Sequence, residues 1–205
     1  MYADLAIKDY LRETASSTPV PGGGSVAALS ASLAAALVEM VAGLTAGRSG
    51  FEAVAPEMEN ILHTAAALRS RCVEDIDRDA DAYRQVLVAY RLPKANDADK
   101  AVRSRAIQAA LKQASLVPLA LAERARQILE LAGEVVRKGN PNAVSDGAVA
   151  AMLARSAGLA ATCNVRINLT SVRDADFAED TLRKIDRLEQ ELVNREEEIR
   201  RALPT

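Results

Sequence analysis

The chain has 205 residues, 49% of them hydrophobic and 26% charged, enough to bury one core and too few for two comfortable domains. Lys and Arg number 26 against 28 Asp and Glu, a net charge of -2, and no segment gathers its basic residues into the footprint of a nucleic-acid binder. Aromatic residues make up 3%, Trp is absent and Ala is abundant, so helix formers outweigh strand formers and the expected class is all-α, one helical domain over 1–205.

The amino end lacks a basic stretch followed by an apolar one, so secretion is not expected and the cytoplasm is the expected compartment. A short amphipathic segment, Leu5 to Glu13, carries Leu5, Tyr10 and Leu11 and runs into a loop over 16–25. That loop holds Pro19, Pro21 and the run Gly22, Gly23, Gly24, Ser25, where two prolines bar a helix interior and three glycines permit close backbone approach. A second helix is expected from near Ser25, continuing through Val26 to Ala46. It is apolar or small almost all round, which could suggest a membrane span, but Ala, Ser and Gly supply little transfer energy and Glu39 interrupts it. The expected reading is a buried central helix against which neighbours approach closely from every side, with no membrane partner.

A third helix is expected from Pro56 to Tyr90, ending in Leu92-Pro93-Lys94, and a fourth from Asp97 to Lys138, kinked at Pro118 and closed by Gly139 and Asn140. A fifth begins between Asn142 and Asp146 and runs through Asn164 and Asn168. The last, Asp174 to Ala202, is charged, with Leu182, Ile185, Leu188 and Leu192 on one side. Long helices on short loops make an antiparallel bundle of about six. Cys72 and Cys163 fall inside helical patterns and are expected to be free, buried thiols. With His63 the only histidine, no metal cluster is expected.

Several polar residues fall where a core should be. The apolar stripe of the third helix runs Ala65, Leu68, Cys72, Ile76, then Tyr83, Val86 or Leu87, and Tyr90, and Asp79 lies on it. Asp75 borders the stripe, whereas Asp77 and Asp81 are expected to project into solvent. A carboxylate on a buried face is costly unless paired or working, so Asp79 is either an ion-pair partner for an Arg on a facing helix or a general acid or base of raised pKa. On the fifth helix Asn164 and Asn168 continue the face of Leu153, Ala157, Ala160 and Ala161. Such amides either receive a heterocycle or tie helices together. Asp146 reads equally as a first-turn acid, Asn140 as a turn residue and Lys94 as a solvated cation at a helix end. The glycine run could present amides to an anionic group at a helix start. It is not a P-loop, because no strand precedes it and the Gly-Lys-Ser/Thr ending is missing.

These blocks, taken in order, resemble a known family. Pro21 through Ser30 and Leu44 through Arg48 are similar to the opening motif of the formiminotetrahydrofolate cyclodeaminase and methenyltetrahydrofolate cyclohydrolase family. Asp79 to Tyr83, Arg91 to Lys94, Val117 to Leu119, Gly139 to Asn142, Ser145-Asp146 and Asn164 to Leu169 resemble its later blocks in the same order. The tail beyond Phe177 is generic amphipathic helix. The resemblance implies an all-α homodimer acting on a tetrahydrofolate derivative without metal or redox cofactor, with Asp79 as the catalytic carboxylate. Gly22, Gly23, Gly24, Ser25, Lys94, Asn140, Asp146, Asn164 and Asn168 are then candidates to line the folate cleft.

In the chemistry so implied, Asp79 orients and deprotonates the water that attacks the cationic one-carbon bridge of 5,10-methenyl-tetrahydrofolate. Lys94 protonates the leaving nitrogen or holds a substrate carboxylate, and the asparagines grip the pterin edge. The cyclodeaminase reaction, in which nitrogen-10 attacks a formimino carbon and ammonia leaves, could use the same groups. A chain without a fused formiminotransferase region favours the cyclohydrolase. A non-catalytic helical interaction module is the alternative outside enzymology, and polar residues at Asp79, Lys94 and Asn164 argue against it.

Overall fold

Short stretches rich in Gly, Pro, Ser and Asn separate long runs of helix-forming residues, and each run folds as one helix, Pro118 and Gly158 lying inside theirs. The computed structural model describes residues 1–203, so the last two residues of the expected 1–205 domain lie outside it. It is 83% helical, with no strand among the described residues. The helices are α1 (Ile7–Thr14), α2 (Gly23–Ala46), α3 (Ala55–Tyr90), α4 (Asp97–Lys138), α5 (Val144–Leu169) and α6 (Ala175–Arg201), with short 3-10 turns at Tyr2–Asp4 and Pro141–Ala143. Boundary chemistry explains the ends. Pro56 occupies the first turn of α3, the Asn96 side chain accepts from the Asp99 amide at the start of α4, and Asp174 accepts from the Phe177 amide at the start of α6.

The expected central helix is α2. Ala28, Ala31, Ala34, Ala35, Val38, Val41 and Ala42 are fully buried, and α3, α4 and α5 all pack on it. Small side chains contribute little transfer energy each but let three helices approach one axis closely, so dispersion replaces bulk as the source of cohesion. α5 runs antiparallel to α2. The Asn140 amide donates to Thr45 Oγ1 at 2.9 Å at one end, and Asn164 lies beside Gly23 at the other. Both α2 and the Pro141–Leu169 stretch are long and apolar enough to cross a membrane by length and composition, and half of each apolar window is buried in the bundle. The charged helix α6 packs Ile185, Leu188 and Leu192 against α4 and α5.

Four expectations need correction. α2 begins two residues before Ser25, because Gly22 takes the extended capping conformation and Gly23 and Gly24 enter the first turn. Cys163 is exposed rather than buried, whereas Cys72 is buried and its thiol pKa is pushed up to about 12, chiefly by burial. Asp77 does not project into solvent. It is buried, and its carboxylate accepts the Tyr2 and Ala3 amides at 2.7 and 3.2 Å, strapping the amino terminus to α3. Tyr83 and Tyr90 leave the core stripe and are exposed.

Pro118 has a consequence beyond its own turn. α4 runs through it unbroken, but a residue without N–H leaves the carbonyl four positions earlier, that of Ala114, without a helical donor. The Asn168 side-chain amide, from α5, donates to that carbonyl at 2.7 Å. A proline in one helix and an asparagine in another are therefore one structural unit.

Candidate active site

The start of α2, the middle of α3 and the end of α5 meet around a cleft of about 390 Å³, within the range that holds a small ligand. Gly22, Gly23 and Gly24 form one wall, Asp79, Tyr83, Val86 and Tyr90 a second, and Asn164, Ile167 and Asn168 a third, with Leu111 and Ala114 of α4 behind. The Val20–Pro21 peptide leading into the glycine turn is cis.

Helix physics explains why a carboxylate sits here. The first backbone bond within α2 runs from the Val26 amide to the Gly22 carbonyl at 3.0 Å, so the amides of Gly23, Gly24 and Ser25 have no partner inside the helix. Asp79 points into that positive end. A Cβ built on Gly24 would lie 2.0 Å from Asp79 Oδ1, so only glycine lets the α2 backbone come this close to the carboxylate. Ser25 is fully buried and its hydroxyl donates to the Ile76 carbonyl at 2.7 Å, tying the start of α2 to the turn of α3 that precedes Asp79.

Burial pushes the Asp79 carboxyl above the ordinary carboxylate range. The neighbouring Ser25 backbone amide pulls it back in part, and the charge of Asp75 adds to the rise. Asp79 is the one charged side chain lining the cleft among the described residues. The Arg partner considered for it belongs instead to Asp75. There Arg124 of α4 binds Oδ2 at 2.6 Å and Arg78 binds Oδ1 at 3.0 Å.

The other candidates divide. Asn164 spends its amide N–H on the Ala160 carbonyl of its own helix at 2.9 Å, and Asn168 spends its own on Ala114, so each offers the cleft a free carbonyl oxygen. Gly22, Gly23 and Gly24 line the cleft, and Ser25 lies beneath it. Lys94 is exposed in the turn between α3 and α4 and does not line the cleft. Asn140 is a buried turn residue whose side chain accepts from the Asn142 amide, and Asp146 lies in the first turn of α5. Both sit at the opposite end of the bundle, about 27 Å from Asn164 by helical rise from Asp146. Three residues that sequence reasoning did not place in the site are Tyr83 and Tyr90, which wall it, and Tyr10 close by. The Tyr10 phenol is buried without a hydrogen-bond partner. An exposed aromatic on an apolar stripe carries no sequence mark that separates it from core. Among the described residues, no three His, Cys, Asp or Glu side chains are grouped so as to hold a metal ion.

Residues 6–187 match the family model described as formiminotransferase-cyclodeaminase. The chain is 39% identical over 188 residues to a methenyltetrahydrofolate cyclohydrolase of Methylorubrum extorquens, covering 92% of this chain and 90% of that protein. It is 36% identical over 188 residues to the formimidoyltransferase-cyclodeaminase of Rattus norvegicus, of whose length it spans 35%. A crystal structure of formiminotetrahydrofolate cyclodeaminase from Thermotoga maritima superposes with a TM-score of 0.89 at 28% identity, over 99% of this chain and 98% of that one.

Proposed function

The chain belongs to the formiminotransferase-cyclodeaminase family, and from that premise we propose that it is a methenyltetrahydrofolate cyclohydrolase, converting 5,10-methenyl-tetrahydrofolate to 10-formyl-tetrahydrofolate. The observation that carries this reading is the charge of the cleft: one carboxylate of raised pKa, Asp79, among otherwise neutral groups. The methenyl bridge is a cation and the product is not, so a lone carboxylate in the cleft favours binding of the charged bridge. It also accepts the proton of the water that attacks the bridge carbon. The free carbonyl oxygens of Asn164 and Asn168 suit the N–H groups of a pterin edge, and Tyr83 supplies flat apolar surface for its rings. This scheme calls on no metal or redox group, and it takes place in the cytoplasm.

The alternative, cyclodeamination of 5-formimino-tetrahydrofolate, is favoured by the close superposition on the Thermotoga maritima structure. The absorbance decay of the methenyl compound with wild type and with Asp79→Asn, beside an assay for ammonia release from the formimino compound, separates the two. Methenyl loss that collapses in the variant supports the cyclohydrolase. Ammonia release with little methenyl hydrolysis makes the protein a cyclodeaminase. Activity on neither substrate in folded protein leaves only a helical interaction module.

We further propose that the working form is a homodimer. Leu33, Met40 and Leu44 of α2 and Val149, Met152 and Ile167 of α5 are exposed large apolar side chains on adjoining helices, a face suited to a partner. Glu39, Arg155 and Arg166 on the same helices suit a second copy better than lipid. A two-fold axis across α2 would pair that helix with its copy antiparallel and bring Asn140 and Asp146 of the partner subunit toward the glycine turn. A sedimentation measurement with Leu33→Glu and Met40→Glu tests this: the variants should be monomeric and impaired, and a wild-type monomer of full activity would remove the idea.

A further inference from the structure

The cleft holds one acid and no base, yet a folate carries at its far end a glutamate with two carboxylates. Cations beside the cleft would suit them. Tyr90 and Ser171 line not only the cleft but also a second depression of about 350 Å³, whose remaining walls are Arg103, Ser104, Ile107, Gln108 and Arg173. Two guanidinium groups from different elements, α4 and the α5–α6 turn, thus converge in a depression that adjoins the cleft.

Both are held, and neither is neutralised. Arg103 donates through Nε and an Nη to the Tyr90 carbonyl at 3.2 and 3.1 Å, and its guanidinium lies 5.6 Å from the Tyr90 ring centre. Arg173 donates from its backbone amide to Gln108 Oε1 at 2.7 Å and from its guanidinium to Ser104 Oγ at 3.2 Å. Most arginines of this chain find a carboxylate, as Arg69, Arg124 and Arg166 do, but no ion pair forms at Arg103 or Arg173 among the described residues. Guanidinium groups with their planes fixed and donors to spare match the fork of a carboxylate. The spacing agrees as well. Asp79 and Tyr90 stand about three turns apart on α3, roughly 16 Å of rise, comparable with an extended aminobenzoyl group, its amide and a glutamate side chain.

We propose that Arg103 and Arg173 form the subsite for the carboxylates of the folate's glutamate tail, with Tyr90 as the ridge over which that tail leaves the cleft. The proposal rests on the folate reading above. Gln108 and Ser104 position Arg173, and the Tyr90 carbonyl positions Arg103. A longer γ-linked tail would continue along the same depression and add carboxylates to the same two cations.

The test combines substrate truncation with substitution. Turnover of 5,10-methenyl-tetrahydrofolate and of 5,10-methenyl-tetrahydropteroate, which lacks the glutamate, is measured for wild type, Arg103→Gln, Arg173→Gln and the double variant. On the glutamyl substrate each single substitution should raise KM about tenfold while kcat is retained, as for loss of one charge-assisted contact. On the pteroyl substrate the same substitutions should change nothing, and the double variant should no longer distinguish the two compounds. Wild-type KM for the glutamyl substrate in the variants, or an equal loss on both substrates, would overturn the tail site, the second by showing a structural role. Wild-type protein that turns over neither compound sinks the cyclohydrolase reading itself. Turnover of both by wild type without discrimination leaves that reading intact and removes only the subsite.

Discussion

Asp75 and Asp79 stand one turn apart on α3, both lifted above the usual carboxylate range by burial, and their surroundings could hardly differ more. Asp75 is closed in by Arg124 and Arg78, and both of its oxygens are taken. Asp79 faces backbone amides of a helix start, amide side chains and open cleft, with no cation against it. A carboxylate paired twice is a strut, because its charge is spent before a ligand arrives. One stabilised only by oriented dipoles keeps its charge and its lone pairs available to a ligand.

Three substitutions probe that contrast, and two more probe the Asn168–Pro118 unit behind the cleft. The largest effect is expected at Asp79 itself: Asp79→Asn should lower kcat by about 10² to 10⁴-fold, as for loss of a general base, with the circular dichroism spectrum unchanged. Gly24→Ala comes next. Its methyl must displace the carboxylate it would otherwise overlap, and a misplacement of about 1 Å costs on the order of 10² in rate. Steady-state kinetics on this variant should therefore mimic a weak Asp79 lesion. Asp75→Asn should do the reverse, keeping most of the turnover while losing about 3 kcal/mol in urea unfolding, because it strands the largely buried Arg124. Asn168→Ala is expected to cost about 1 to 2 kcal/mol by orphaning the Ala114 carbonyl. A double variant with Pro118→Ala, which restores the helical donor, should recover much of that loss, and additive losses would show that the two residues are not one unit.

The pH dependence sharpens the same comparison. A base must be ionised to work, so kcat/KM should fall on the acid side at a pH above that of an ordinary carboxyl group, and Asp79→Asn should erase that limb. Stability runs the other way. A carboxyl whose pKa is raised by folding binds protons more tightly in the folded state, so its contribution falls as pH rises from the unfolded value toward the raised folded one. Asp79→Asn should consequently be more stable than wild type at neutral pH, with the gain shrinking below the ordinary carboxylate range. A thermal melt series across pH reads this directly, and a variant less stable than wild type at neutral pH would mean that the amides at the α2 start need the charge.

Much of the molecule was legible in its residues, for reasons that differ from place to place. The six helices followed from long periodic runs punctuated by Gly and Pro. α2 was readable as central because small residues occupy all its faces. Asp79 was readable because it broke an apolar stripe. Asp77 misled, since its place on the outward face said nothing of an amino-terminal strap that folds back over it. Tyr83 and Tyr90 misled in the opposite sense, being apolar by pattern and yet walls of an opening.

By itself the sequence determined the helices, the all-α class and the family, because these depend on local periodicity, local end chemistry and the order of short motifs. Only the tertiary structure decided which aspartate is paired and which is free. It also decided that Asn168 answers Pro118, and that Arg103 and Arg173 line a depression adjoining the cleft. Each of those facts is a distance between residues far apart in the chain. A side chain's work depends on the charge and the donors that packing brings to it, and no single helix carries that information.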